Sequence, residues 1–325
     1  LDRGVDVIDL GAGDADLAPP PAAVERLREA AGDPRLGRYG FGMGHRPFRE
    51  AASRFMEERF GVHFDPITET IPLIGSKEGL SLLALAYLAK GDAVIVPEPG
   101  FVSYIGGARL SEGDPFFVPL RPENEFLLDL AEIPPEVAAR ARLMYLNYPN
   151  NPTAATAPLS YLEEVVAWCR EHDVLLAYDN AYSELAFDGY EPPSIFHVEG
   201  AREIAMEFHT LSKTYNMTGW RLAWANGKPE FIEVLAKVKT FVDMGQMMAV
   251  QAAGVAALET RHDFVPGNVE IFRTRRDVAV EAFRKAGFLV EVPKATMYVW
   301  IRLPEGVDDI DFTMRLMEEE GVIVI

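Results

Sequence analysis

The chain has 325 residues, 49 % of them hydrophobic and 25 % charged, so it can bury a sizeable core and is not a disordered or fibrous sequence. Its formal net charge of −19 argues against nucleic acid or an anionic membrane as main partner, although a local cluster of donors can still hold a small anion. No apolar run reaches the roughly 18 residues of a membrane span, the start LDRGVDVIDL lacks a basic-then-apolar leader, and the single cysteine cannot form an internal disulfide, so a cytoplasmic protein is expected.

Helical periodicity first occupies residues 46–60, and the strand-like TIPLI then leads through GSKEG (75–79) into a helix predicted over 77–90. Strands are predicted at DAVIVP (92–97), PFFVPL (115–120), RLMYLNYP (142–149), VLLAYD (174–179), EIAMEFHTL (203–211) and RLAWANG (221–227). Between and after them, residues 158–172, 229–240 and 246–260 read as helices. Near-continuous apolar strands separated by helices predict an α/β fold with a mostly parallel sheet covered on both faces. VEIFRTRRDVAVEAFRKAG (269–287) reads as one long helix, and FLVEVP, MYVWIRLP and GVIVI after it continue as an α+β pattern. The expected organisation is a large unit over 35–268 and a smaller one built from both chain ends, 1–34 and 269–325.

Cys169, inside LEEVVAWCREHD, reads as buried helix packing, since nothing beside it resembles an activating base. The six histidines show no ligand spacing that suggests a metal. MGQMM (244–248) reads as core packing, with the lining of a substrate entrance as the other reading.

In a parallel sheet ligands sit beyond the carboxyl ends of the strands, so each strand end is a candidate for chemistry. GSKEG opens a helix on a glycine–serine turn whose free N–H groups suit a phosphate at Ser76 and Lys77, or form an ordinary capped helix. PEPGF (97–101) delivers Phe101, an aromatic for stacking on a flat ring or for the core. NYPNNPT (147–153) stiffens the backbone around Asn150 and Asn151, presenting an amide to a ligand or making a plain turn. AYDNAY (177–182) places Asp179 at a strand terminus, where it needs a cation or donors or caps a helix, and Tyr182 three residues on.

TLSKTYNMTGWR (210–221) brings Thr210, Ser212, Lys213 and Arg221 together between two strands. An enclosed lysine in a cation-rich site has a depressed pKa, so its neutral amine can add to an aldehyde. Arg221 and Thr210 suit a phosphate, Asp179 a protonated pyridine nitrogen, Phe101 the ring face and Asn151 a phenolic oxygen. This ordered set describes pyridoxal phosphate.

From LGAGDADLAPP (10–20) through RYGFGMGHRPFREA, GSKEG, PEPGF, NYPNNPT, YDNAY and SKTYNMTGWR to PKATMYVW (293–300), the chain resembles a class I/II aminotransferase of the aspartate aminotransferase fold, fold type I of the pyridoxal-phosphate enzymes. GSKEG, LSKTYNMTGWR and PKATMYVW are most similar to the LL-diaminopimelate aminotransferase branch. The resemblance implies a large α/β/α sandwich and a smaller α+β domain. It implies Lys213 as the Schiff-base lysine and proton shuttle, with Ser76, Lys77, Thr210, Ser212 and Arg221 on the phosphate. It further implies Asp179 on the pyridine nitrogen, Asn151 and Tyr182 on the ring oxygen, and Phe101 on the ring. Gly13 would approach the substrate carboxylate. Tyr39 would reach the phosphate of a partner subunit, which makes a homodimer with shared active sites.

The resemblance also implies an arginine for the substrate carboxylate beyond the segment matching GVIVI, and the sequence given stops at Ile325; a chain cut short there is the expectation. The implied function is transfer of an amino group between an amino acid and a 2-oxo acid, with LL-diaminopimelate, aspartate or glutamate as donors and 2-oxoglutarate as acceptor. A carbon–sulfur β-lyase on the same cofactor, or a cofactor-binding pseudoenzyme without the carboxylate clamp, is the alternative.

Overall fold

Residues 7–41 and 43–325 are described in the computed structural model of the chain. A short β1 (Ile8–Asp9) leads to helices α1 (Pro21–Ala31) and α2 (Arg46–Phe60). Proline near the start of each helix costs nothing, because the first N–H groups lack intrahelical partners; Gly61 ends α2 in the left-handed region, at φ 67°. The chain then alternates: β2 (Thr70–Leu73), α3 (Ser76–Tyr87), β3 (Ala93–Glu98), α4 (Val102–Leu110), β4 (Asp114–Pro119), α5 (Pro135–Ala138), β5 (Ala141–Leu146), α6 (Leu159–His172) and β6 (Leu175–Asp179). Next come α7 (Ala201–Ile204), β7 (Ala205–Thr210), α8 (Leu211–Thr214), β8 (Ala223–Gly227), α9 (Pro229–Val242), α10 (Met248–Glu259), α11 (Arg261–Lys285), α12 (Asp309–Glu320) and β9 (Val322–Ile323).

Seven strands form one sheet in the order β2-β8-β7-β6-β5-β3-β4. The pairs β7–β6, β6–β5, β5–β3 and β3–β4 are parallel, and only β8 runs antiparallel to its neighbours β7 and β2. The fold is thus α/β with a mostly parallel sheet. Alternation of side chains along each strand fills two cores. One holds Ile95, Met144, Leu176 and Tyr178 beneath Leu162, Val166 and Cys169 of α6. The other holds Val94, Val96, Leu143 and Phe208 beneath Leu80, Leu83, Tyr104 and Leu235 from α3, α4 and α9. Cys169 is fully buried, and burial pushes its thiol well above the ordinary value, as inert helix packing requires.

Three expectations are corrected. FLVEVP and MYVWIRLP form no ladder, only the single bridges Leu289–Arg302 and Ala186–Ala295. Pro293 and Pro304 lack donors, and Thr296 at φ 76° breaks the extended backbone. GVIVI alone supplies a strand, β9, which pairs in parallel with β1. The long helix begins at Arg261, ahead of the predicted 269, and carries Pro266 within it. In MGQMM only Met248 packs on a core, whereas Met244 and Met247 are 37 % and 50 % exposed.

The helix α1 packs through Leu27 and Ala30 on Met248, Ala249 and Ala252 of α10. Among the described residues, no helix is long and apolar enough to cross a membrane, and no group of three His, Cys, Asp or Glu side chains could hold a metal ion.

Candidate active site

The topology brings the motifs to one edge of the sheet. Because β3, β5, β6 and β7 are parallel and β2 shares their direction across β8, Gly75, Phe101, Asn147–Asn151, Asp179 and Thr210 all follow carboxyl ends on the same side. The antiparallel β8 starts at that edge and places Arg221 there from its amino end.

Asp179 ends β6 and is 5 % exposed. Its Oδ2 accepts a 2.8 Å hydrogen bond from the Tyr104 hydroxyl, whereas Oδ1 is buried without a partner among the described residues. Burial raises its carboxyl to about 6, with the Tyr104 hydrogen bond, His209 and Lys213 opposing the rise. Asn147 Nδ2 donates to the Asp179 carbonyl at 2.7 Å, and Asn147 Oδ1 accepts from the Asn151 N–H at 2.7 Å, which ties the NYPNNPT loop to Asp179. Asn150 spends its side chain on the loop itself, accepting from the Thr153 hydroxyl at 2.7 Å. The neighbouring Asn180 donates to the fully buried Glu207 at 2.7 Å, and Glu207 also accepts from Ser194 and the Ile195 N–H.

A second group of donors lines the start of α3. Gly75 is its N-cap at φ 76°. A Cβ there would meet Arg221 Nη2 at 2.2 Å, so the guanidinium lies directly against the turn. Arg221 is itself left-handed, at φ 55°; its Nη1 donates to Thr218 O at 2.6 Å and its carbonyl accepts from Gln246 Nε2 at 2.9 Å. Thr210 caps α8, accepting from the Ser212 N–H at 3.1 Å and donating to the Ser212 hydroxyl at 2.9 Å. Lys77 is exposed, its Nζ 5.8 Å from the Phe101 ring centroid. Below the turn, Glu78 accepts from the Ile74 N–H at 2.7 Å and pairs with the buried Lys239, which also meets Asp243 Oδ1 at 3.1 Å.

Lys213, half-buried in α8, donates to the Gly13 carbonyl at 2.5 Å. Burial holds its amine below the ordinary value; Arg221 adds to the depression, while Asp14 and Asp179 oppose it. Gly13 sits at φ 55°, and a Cβ there would meet the Tyr298 hydroxyl at 3.1 Å. Tyr298 in turn lies 2.9 Å, oxygen to oxygen, from Tyr182. Two residues after Tyr182, Glu184 is gripped by Arg59 Nε of α2 and Arg261 Nε of α11, both at 2.6 Å, which fixes the turn that carries Tyr182. Tyr39 stands apart: it is 69 % exposed, tilted against Phe41.

Every other predicted site residue thus lies at or over the one sheet edge. Tyr104, Asn147 and Tyr298 belong there too and were not singled out from the sequence. A signal existed for Tyr104, which lies three residues after Phe101 at the start of a helix and so on nearly the same face. The donor set is specific. It offers an unpaired buried carboxylate oxygen, an aromatic lid, a guanidinium with hydroxyls at a glycine turn, and an amine of lowered basicity. These groups match a flat cationic ring that bears a phosphate and an aldehyde.

The profile of the family "Aminotransferase class I and II" matches residues 5–325. Among known proteins, the LL-diaminopimelate aminotransferase of Moorella thermoacetica is 43 % identical over 99 % of this chain and 83 % of its own length. That of Aquifex aeolicus is 44 % identical over 99 % and 84 %. Among solved structures, a probable N-succinyldiaminopimelate aminotransferase from Thermus thermophilus superimposes with TM-score 0.92 at 41 % identity, covering 99 % of this chain and 86 % of that one. A Thermus thermophilus aspartate aminotransferase mutant gives 0.92 at 31 %, over 100 % and 84 %.

Proposed function

The chain belongs to aminotransferase class I and II, and we propose that its amino donor is LL-diaminopimelate and its acceptor 2-oxoglutarate. It is a pyridoxal-phosphate-dependent aminotransferase. The donor reading draws on relatives of that name, and one feature of this chain fits dicarboxylic donors in general, aspartate and glutamate included. Lys77 is exposed beside Phe101 and forms no ion pair among the described residues, so its ammonium is free for the distal carboxylate of a dicarboxylic amino acid.

The residues fit the cofactor. Asp179 Oδ1, buried and unpartnered, is the oxygen that holds a pyridine N–H, and pairing with a cation offsets the burial that raises its pKa. Arg221, Thr210, Ser212 and the first N–H groups of α3 at Ser76 and Lys77 take the phosphate, while Phe101 covers the ring and Asn151 with Tyr182 holds the ring oxygen. Bound there, pyridoxal phosphate supplies an aldehyde that captures an amine and a pyridinium that draws electrons from the carbon being deprotonated. Lys213 Nζ, kept neutral more readily by burial, would be the amine that the aldehyde captures, and in its free form it would accept the proton of the substrate Cα. Gly13 O orients that nitrogen.

A second copy of the chain covers Tyr39 and Phe41, 69 % and 75 % exposed, together with Phe241 and Met247 at 83 % and 50 %, so that each site borrows Tyr39 from its partner. Residues 35–268 act as the cofactor-binding unit, with 1–34 and 269–325 as the smaller one, and the lone buried thiol suits the cytoplasm.

The test is to load the purified chain with pyridoxal phosphate and follow glutamate formation from 2-oxoglutarate with LL-diaminopimelate, aspartate or alanine. A visible band that Lys213→Ala abolishes and that LL-diaminopimelate discharges is expected. Discharge by aspartate alone would overturn the donor, and multiple-turnover release of pyruvate, ammonia and thiol from a β-thio amino acid without an acceptor would point to a lyase.

A further inference from the structure

The segment PKATMYVW (293–300) places a side chain inside the site. The segment doubles back antiparallel to the chain that leaves Tyr182: Phe187 N donates to Lys294 O and Thr296 N to Leu185 O, each at 2.8 Å, on either side of the Ala186–Ala295 bridge. At its centre Thr296, 1 % exposed, adopts φ 76°. A β-branched residue in the left-handed region is a true backbone outlier, and such strain persists only where the surroundings impose it, most often at sites of function. Here the strained turn aims the next side chains: Thr296 Oγ1 accepts from the Tyr298 N–H at 3.2 Å, and the Tyr298 ring meets that of Tyr182 edge-on, with centroids 5.6 Å apart.

We propose that Tyr298 is a positioning residue of the aminotransferase site, its hydroxyl orienting and polarising the Tyr182 phenol toward the ring oxygen of the cofactor. This rests on the reading that Tyr182 holds that oxygen. Two phenols whose oxygens are 2.9 Å apart share one hydrogen bond. When Tyr182 turns its own proton to the cofactor, its lone pair is left for Tyr298 to fill, and a donor that is itself hydrogen-bonded donates more strongly. Burial raises both phenols above the ordinary value, so each keeps the proton this arrangement needs; Asp179, the other titratable group that acts on both, pushes in the same direction. The same hydroxyl abuts Gly13, whose carbonyl holds Lys213, so Tyr298 also fixes the wall that the amine faces.

The experiment uses the loaded enzyme without amino acid and titrates its visible band against pH. A stronger donor at the ring oxygen takes up negative charge that otherwise keeps the Lys213–cofactor nitrogen protonated. Removing the Tyr298 hydroxyl in Tyr298→Phe therefore raises the midpoint by about half a unit to one unit, the equivalent of one ordinary hydrogen bond. Tyr182→Phe raises it further, and the double variant matches Tyr182→Phe alone, because the effect passes through that phenol. An unchanged midpoint in Tyr298→Phe beside a shift in Tyr182→Phe overturns the inference and leaves the role of Tyr182 standing. No shift in either overturns both. A Tyr298→Phe shift that persists undiminished in the double variant shows an independent effect and equally rejects the relay.

Discussion

The Tyr104 hydroxyl donates to Asp179 Oδ2 at 2.8 Å from the first turn of α4, while Asp179 itself ends β6. Tyr104 is fully buried and stacks on Tyr145 with centroids 4.5 Å apart, so the donor cannot swing away. Its hydrogen bond is the foremost of the effects that hold the Asp179 carboxyl down against burial. In Tyr104→Phe the carboxyl rises further and the anion loses a donor. A lost bond of about 1–1.5 kcal/mol translates into roughly tenfold weaker binding of pyridoxal phosphate near neutral pH. Absorbance titration of the variant checks this, and an affinity equal to that of the parent chain contradicts it.

The unloaded chain carries the signature of Asp179 in its stability. Its carboxyl lies at about 6 in the fold against 3.8 when unfolded, so the native state binds the proton more tightly. The stabilisation is complete below the unfolded value and is lost as pH rises through about 6, amounting to about 3 kcal/mol. Urea unfolding without cofactor should therefore show the parent chain losing stability relative to Asp179→Asn between the two values. A constant difference across that window would refute the assignment.

Much of this site could be read from the sequence because the strands that carry it are buried on both faces. Continuous apolar runs such as DAVIV and VLLAY mark their own ends, and the residue after each run has to lie at the sheet edge. Asp179, Phe101 and Thr210 were legible for that reason. Tyr298 was not, since the alternation in MYVWIRLP imitates a strand and the left-handed turn at Thr296 leaves no mark in residue type. Pro266 hid the start of α11 in the same way: it reads as a break, yet the helix runs through it although a proline in its second turn cannot donate to the carbonyl four residues back. Nothing in the sequence around Lys239 marks it as buried, and only the fold shows two carboxylates closing over it.

That lysine is fully buried against Glu78, whose carboxyl burial raises to about 7, and against Asp243, which accepts from the Gly245 N–H at 2.6 Å. Lys239→Met leaves two carboxylates without their cation and should cost about 3–5 kcal/mol of stability. The pairing of Lys239→Met with Glu78→Gln should recover a good part of that loss, because the second change removes one stranded charge. Denaturant titration of the single and double variants measures the coupling; strictly additive losses would mean that the three side chains do not act as a unit.

The glycine turn at α3 makes the most direct test of the phosphate cradle. Gly75 is left-handed at φ 76°, and a methyl group there would lie 2.2 Å from Arg221 Nη2 and 2.9 Å from its Cζ. The guanidinium has little room to retreat, since Nη1 is bound to Thr218 O and the Arg221 backbone is held left-handed with its carbonyl on Gln246. Gly75→Ala must therefore either distort the turn, turning the first N–H groups of α3 aside, or expel the arginine fork. Either way a charge-assisted contact of about 1.5–3 kcal/mol to the phosphate is lost, weakening pyridoxal phosphate binding by roughly 10–100-fold. Pyridoxal without its phosphate never used that contact, so its weaker affinity should hardly change. If both ligands weaken equally in Gly75→Ala, the turn supports the site as a whole, and the phosphate lies elsewhere.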